Sequence, residues 1–376
     1  MTIALVVDSF ADKSNGTSMT AFRFAKALRE RGHKVHVVAP YIEGEGYYPV
    51  PERYIPIVSE ISRKQRMIFG KPVEKILREA FHGVDVVHLF LPFKLEIVAI
   101  KIAKSMNIPY MGAFHLQPEH ITHNLGLEKL TFLNNFIFWW FRFRFYRHIG
   151  HIHCPSALIA NEINAHHYKG KKFIISNGFD ELYSPPQKKP PNDGLFHIVM
   201  VGRYSSEKRQ DMLIKAIGLS RYSTKIKLHL KGAGPTEKKL RKLAENLSNE
   251  VDFGFVQPKD LIKILHRGDL YVHAADVEGE AIACLEAISC GVVPIISDSR
   301  VSATGQFALD ERSLFQSGNP KDLAQKIDYW IEHKSEREEM GKAYAKSASN
   351  YTLEKSIQKA EKMYLEVIKD FKKFKN

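Results

Sequence analysis

Two carboxylates, Glu278 and Glu286, stand eight residues apart in the run Glu278-Gly279-Glu280-Ala281-Ile282-Ala283-Cys284-Leu285-Glu286-Ala287. The run passes from a polar turn into helical spacing, and Cys290-Gly291 and the apolar stretch Val292-Val293-Pro294-Ile295-Ile296 follow it. In a parallel α/β sheet, ligands bind beyond the carboxyl ends of the strands. A helix start there offers free N–H groups to phosphate, and nearby carboxylates receive hydroxyls. Such a junction suits a nucleotide sugar. The competing reading is two solvated acids, since acids favour the first turn of a helix.

A second constellation lies upstream, where Val201-Gly202-Arg203-Tyr204-Ser205-Ser206-Glu207-Lys208 follows an apolar run and leads into a helical pattern. A glycine at a strand end lets the backbone approach a ligand, and Arg203 and Lys208 can neutralise a diphosphate as its negative charge grows. Taken alone, they are as readily two solvated cations. His115 closes Gly112-Ala113-Phe114-His115. Its imidazole can donate to a sugar hydroxyl, although a lone histidine is more often structural. His120 and His123 extend that tract, and His148, His151, His153 and Cys154 form another. No HExxH pattern or acidic ligand set accompanies either, and strand alternation accounts for part of the second group, so no metal or cofactor is expected. Asp276 and Asp298 read as scattered acids without a DxD motif.

These residues need rigid elements behind them. Ile3 to Val7 reads as a buried strand, Ser14 to Ser18 as a polar turn, Met19 to Arg31 as a helix and Lys34 to Ala39 as a strand, the opening unit of a doubly wound α/β fold. Gly16 in that turn is a weak signal of close backbone approach to a ligand; the turn is neither a GxGxxG fingerprint nor a Walker loop. Val84 to Phe90 and Ile108 to Phe114 look like further strands around a helix from Glu96 to Met106. The run Ser184 to Asp193 holds four prolines and reads as a semi-rigid linker. After it the alternation restarts, with His197 to Val201 and Ile226 to Lys231 as strands and Gln210 to Ile217 and Thr236 to Asn246 as helices. The predicted domains are 1–183, 184–352 and a C-terminal helix with a basic tail, 353–376, that crosses back to the first domain.

A chain of 376 residues, 44% apolar and 26% charged, has material for two cores. Its three cysteines are too few and too scattered for a disulfide framework, which fits a reducing cytoplasm. The N-terminus lacks the features of a signal peptide, and no apolar run is long enough to span a bilayer. The net charge of +13 asks for an anionic partner. From Phe132 to Tyr146 nine of fifteen residues are aromatic, and between Thr131 and Asn161 there are three arginines and no acid. Aromatic bodies bury at the acyl boundary while arginine heads meet lipid phosphates. Segment 126–150 is therefore a candidate membrane-docking element, with Trp139, Trp140, Arg142, Arg144 and Arg147 as its contacts. An aromatic-rich core helix is the equal alternative. Lys369 to Lys375, with Phe371 and Phe374, offers a second basic contact. Interleaved aromatic and basic residues also suit single-stranded nucleic acid, but no RRM, KH or OB pattern accompanies them, so no nucleic acid is expected.

The Glu278/Glu286 spacing, the Gly202-Arg203 to Lys208 segment, Asn177-Gly178-Phe179-Asp180 and Gly232-Ala233-Gly234-Pro235 occur in an order that resembles the retaining glycosyltransferases of family 4. The resemblance implies a GT-B fold, two Rossmann-like doubly wound parallel-sheet domains facing a central cleft. It implies a UDP-linked hexose donor held by Gly16, Gly202, Arg203, Lys208, Glu278, Ala281, Ile282 and Glu286. Glu278 would lie near the sugar, Glu286 would receive the ribose hydroxyls, and His115 would stand beside the donor sugar. Arg203 and Lys208 would stabilise the leaving diphosphate in a front-face reaction that retains configuration. Glu280 and Ala281 depart from the Phe and Gly often found at their positions. Membrane-associated glycolipid synthases of the family suggest diacylglycerol as the acceptor, ahead of a monoglycosyl lipid or a polyprenyl-linked, polysaccharide or protein acceptor. The expected location is the cytoplasmic face of the cell membrane. A reading from another class is a non-catalytic partner subunit, against which the presence of Arg203, Lys208 and Glu286 counts.

Overall fold

Short runs of Val, Ile and Leu become two parallel sheets in the computed structural model, which describes residues 1–11, 16–64, 67–128, 130–188, 190–191 and 193–373. Ser14, Phe374 and Lys375, named above, lie outside the described residues. The chain divides into two compact units, one of Met1–Pro118, Lys129–Gly178 and Leu353–Asn376 and the other of Glu119–Glu128 and Phe179–Thr352.

The first unit carries β1 (Thr2–Val6), β2 (Lys34–Ala39), β3 (Tyr47–Pro49), β4 (Val86–Leu89), β5 (Tyr110–Ala113), β6 (His151–Cys154) and β7 (Lys171–Ile174), in the spatial order β3-β2-β1-β4-β5-β6-β7. All its ladders are parallel. Helices cover both faces of such a sheet, which is why Ile3, Ala4, Leu5 and Val6 in central β1 are all fully buried. The helix Gly16–Glu30 and the C-terminal helix Leu353–Lys373 share one face, packing Phe24, Leu28, Ile357, Met363 and Tyr364 against Leu5, Val86 and Met111. Gly178 (φ +74°) is obligatory here, since a Cβ would lie 2.6 Å from Leu353 Cα.

The second unit carries β8 (Phe196–Val201), β9 (Ile226–Lys231), β10 (Asp252–Gly254), β11 (Leu270–His273), β12 (Val293–Ser297) and β13 (Leu314–Phe315), in the order β10-β9-β8-β11-β12-β13, again all parallel. Strand order reverses direction between β1 and β4 in the first unit and between β8 and β11 in the second, and such switch points are where doubly wound sheets bind ligands.

Two boundaries differ from the sequence reading. The proline run looked like the break at 183/184, but Phe179 and Tyr183 are already buried in the second core, so the units part at Gly178. Residues 119–128, read as part of the first domain, belong to the second unit, where Glu119 and Thr122 are buried. The aromatic segment forms the helix Thr131–Arg144. Phe138 and Phe141 bury on its inner side, while Phe132, Phe136, Trp139, Trp140 and Phe143 are exposed. The helix thus has one core-facing side and one exposed aromatic side. Among the described residues no helix is long and apolar enough to cross a membrane.

Candidate active site

β8 and β11 are hydrogen-bonded neighbours, so the loops that follow them leave the same end of the second sheet. Gly202 begins one loop, and the other leads from His273 through Asp276 to Glu278. The turn after β9 closes against the first. Gly202 N–H donates to Lys231 O at 2.9 Å and Tyr204 N–H to Ala233 O at 3.0 Å. The Tyr204 hydroxyl donates to Leu230 O at 2.6 Å. A Cβ on Gly232 would lie 2.0 Å from Gly202 O, and one on Gly234 would lie 2.3 Å from Tyr204 O. That close approach is why Gly232-Ala233-Gly234 needs both glycines.

At this strand end Lys208 donates to Oε1 of Glu278, both side chains being largely buried. His273 Nε2 lies 3.3 Å from the same oxygen, off the hydrogen-bonding line. Burial works against ionising Glu278, yet Lys208, His273 and His120 together hold its carboxyl well below the usual range. Burial and then Lys208 lower the pKa of His120, against the pull of Glu278 and Glu207. Glu207, itself buried, accepts from Ser205 Oγ at 2.6 Å. Arg203 is half-buried, and its carbonyl accepts from Gln210 Nε2 at 2.7 Å. The result is a carboxylate and an ammonium, both largely but not fully buried, in contact at the switch point beside imidazoles.

Glu286 is buried on the helix Ile282–Ser289, which Ala281 precedes; Ile282 is half-buried. Burial, then Cys284, Glu278 and Glu286, push the Tyr271 phenol up, so both members of the carboxylate pair face one neighbourhood under β11. They are not solvated acids at a helix start. Glu280 is buried as well.

Sequence reasoning overlooked four residues here. His273 closes a strand five residues before Glu278, a readable signal. His120 was dismissed as part of a histidine tract, and only the packing of 119–128 into this unit brings it to Lys208. Arg209 sits at φ +55° and pairs with Asp276 at 2.9 Å and Asp211 at 3.3 Å. Ser317 donates from Oγ to Asp276 at 3.2 Å and from N–H to Asp298 at 2.7 Å, so the two acids read as scattered are joined. Among the described residues no group of three or more His, Cys, Asp or Glu is arranged to hold a metal ion.

The remaining candidates lie in the first unit. His115 follows β5, stacked on Phe90 at 5.3 Å and edge-on to His153 at 5.2 Å. Burial and His153 lower its pKa well below the ordinary value, so the ring is neutral. Gly16 starts the helix Gly16–Glu30, and a Cβ there would meet nothing within 4 Å, so the chain's own packing does not require glycine. On the aromatic helix Trp139 stacks between Phe136 and Phe143, and Arg147 lies over Phe143 at 4.3 Å. Arg144 and Arg147 are exposed; Arg142 is drawn to the carbonyl of His166 at 3.4 Å.

Family models decide the kinship. Residues 14–181 match the model Glycosyltransferase Family 4, and residues 185–347 match Glycosyl transferases group 1. The chain belongs to glycosyltransferase family 4. It is similar to the alpha-monoglucosyldiacylglycerol synthase of Streptococcus pneumoniae, with 23% identity over 79% of this chain and 71% of that one. The catalytic domain of the Helicobacter pylori cholesterol-alpha-glucosyltransferase is 61% identical over 42% of this chain and 99% of its own length, with a TM-score of 0.41. Other relatives are GDP-mannose-dependent alpha-mannosyltransferases. Anabaena Alr3699/HepE in complex with UDP-glucose superposes with a TM-score of 0.73 at 18% identity, covering 96% of this chain and 99% of that one. The fold is GT-B, and this family member is a glycosyltransferase.

Proposed function

We propose that this glycosyltransferase moves a hexose from a UDP-linked donor to the hydroxyl of a membrane lipid, with retention at the anomeric carbon and diacylglycerol as the leading acceptor. The observation that carries the donor half is the buried Lys208–Glu278 pair at the switch point of the second unit, with Arg203 on the same loop. A preformed, largely desolvated cation beside a carboxylate favours a group whose negative charge grows as the reaction proceeds, which a departing diphosphate does. Lys208 and Arg203 stabilise that diphosphate, Glu278 orients the sugar, and Glu286 receives the ribose hydroxyls. The anomeric C–O bond to phosphate breaks with its electron pair leaving on the diphosphate. The acceptor oxygen bonds the anomeric carbon from the same face, and its proton passes to the departing phosphate oxygen. Neutral His115 holds a sugar hydroxyl, and no metal is required.

Support for the lipid half comes from the exposed aromatic and arginine surface of Thr131–Arg144 and from the kinship with a glucosyldiacylglycerol synthase. The test is product formation from UDP-glucose, UDP-galactose and GDP-mannose with anionic vesicles holding diacylglycerol or cholesterol, the acceptor for which the Helicobacter pylori enzyme is named. A glycolipid formed only with diacylglycerol supports the reading. Transfer to cholesterol replaces the acceptor, transfer from GDP-mannose replaces the donor, and nucleotide release without a lipid product rejects the lipid half.

A further inference from the structure

Three imidazoles cluster on one face of the first sheet, two fully buried and the third, His115, half-buried. His88 lies in β4 and His153 in β6, both 0% exposed, and His115 follows β5 between them. The His153 ring is 5.5 Å from His88 and 5.2 Å from His115, and Phe90 packs against both, at 4.6 and 5.3 Å. His88 Nδ1 is 2.9 Å from the hydroxyl of Tyr364 on the C-terminal helix, and His153 Nε2 is 2.8 Å from the carbonyl of Ile175. Each ring keeps one buried nitrogen without a protein partner: Nε2 of His88, Nε2 of His115 and Nδ1 of His153.

Hydrogen-bond accounting fixes the protons. A carbonyl only accepts, so His153 carries its proton on Nε2 and leaves Nδ1 as an acceptor. Tyr364 is fully buried and its phenol stays protonated, so the arrangement that gives its hydrogen an acceptor is donation to His88 Nδ1. His88 therefore carries its proton on Nε2, a buried donor on a ring whose centroid lies 5.5 Å from that of His153. Buried polar groups of this kind are costly unless bonded, and a buried water commonly makes about three hydrogen bonds. A water accepting from His88 has two hydrogens to give, one for His153 Nδ1 and one for His115 Nε2.

We propose that Tyr364, His88 and His153 form a positioning relay, closed by one buried water, that fixes His115 in the tautomer with its proton on Nδ1. The C-terminal helix thereby sets which His115 nitrogen donates to the substrate. The catalytic consequence rests on the reading of His115 as a donor-sugar contact; the tautomer does not.

The experiment is ring-nitrogen NMR of the full chain with isotope-labelled histidine, with His115 assigned by subtraction of the His115→Gln spectrum. Expected for the wild type is a protonated Nδ1 and a bare Nε2 at His115; a protonated Nε2 overturns the relay. In Tyr364→Phe, which keeps the ring and removes only the hydroxyl, His88 loses its donor, and His115 should become a mixture of tautomers. kcat should then fall about fivefold with the donor KM nearly unchanged. A Tyr364→Phe protein that is less stable but keeps a single His115 tautomer assigns Tyr364 a packing role and overturns the relay. A shifted tautomer with unchanged kcat leaves the relay standing and removes His115 from the reaction.

Discussion

Lys208 and Glu278 meet across 70 residues of sequence, each carried by the loop that leaves one of two neighbouring strands at the switch point. Their contact brings charge of both signs to one place largely shielded from water. Removing one partner of such a pair strands the other, whereas removing both is far milder. Lys208→Met should cost about 3 kcal/mol of stability in the second unit and lower kcat/KM about a hundredfold. Adding Glu278→Gln should restore most of the stability and none of the activity. Thermal melts and initial rates on the two variants check this; turnover within twofold of wild type in Lys208→Met would remove the lysine from the reaction.

Glu286 tests the nucleotide assignment. Glu286→Ala should weaken UDP-sugar binding about tenfold, the loss expected for hydrogen bonds to a charged group. Calorimetric titration reads the affinity directly, and an unchanged value discards the ribose role.

Gly232 tests the backbone zip beneath the site. Gly232→Ala would drive a methyl into Gly202 O. We expect a loss of about 3 kcal/mol or more, with donor binding lost in parallel. A folded variant of ordinary stability with full nucleotide affinity would show that the two loops need no such contact.

The buried imidazoles predict a pH dependence for the first unit. Burial lowers His153 from 6.5 to about 4, and it lowers His88 and His115 as well. The folded pKa values lie below the unfolded ones, so as pH falls from 6.5 the unfolded chain binds protons that the folded chain refuses. Stability should therefore be fully present above pH 6.5 and fall towards about pH 4, by at most about 1.4 kcal/mol per pH unit per histidine. Urea unfolding across that range measures the slope. His153→Gln should flatten it, and a slope that is unaffected by the substitution contradicts the assignment.

The aromatic helix predicts a division of labour between its faces. Trp139→Ser with Phe143→Ser changes exposed side chains, so melting should hold while partition into vesicles falls about tenfold. Arg144→Glu with Arg147→Glu should abolish the preference for anionic over neutral vesicles. Flotation separates the two effects; binding that ignores both pairs would place membrane contact elsewhere on the chain.

Sequence by itself determined the architecture and named most of the residues now proposed to bind the donor. Apolar runs and helical spacing alternate regularly enough to announce parallel sheets, and Gly202, Arg203, Lys208, Glu278 and Glu286 stand on short loops and one helix start whose place relative to a strand end follows from local pattern. Tertiary structure alone decided the rest, because contact between distant segments leaves no local periodicity. The proline run looked like the domain break, yet the core claimed Phe179 and Tyr183 first. Helix Pro118–Asn124 sits mid-sequence in the first domain, and the compact units assign its His120 to the second. Asp276 and Asp298 became one network through Ser317, and His88, His153 and His115, from β4, β6 and the residues after β5, became one cluster under Tyr364. A hydrogen bond and a desolvated charge depend on distances that only the folded chain fixes, which is why the chemistry of these groups was invisible in their spacing.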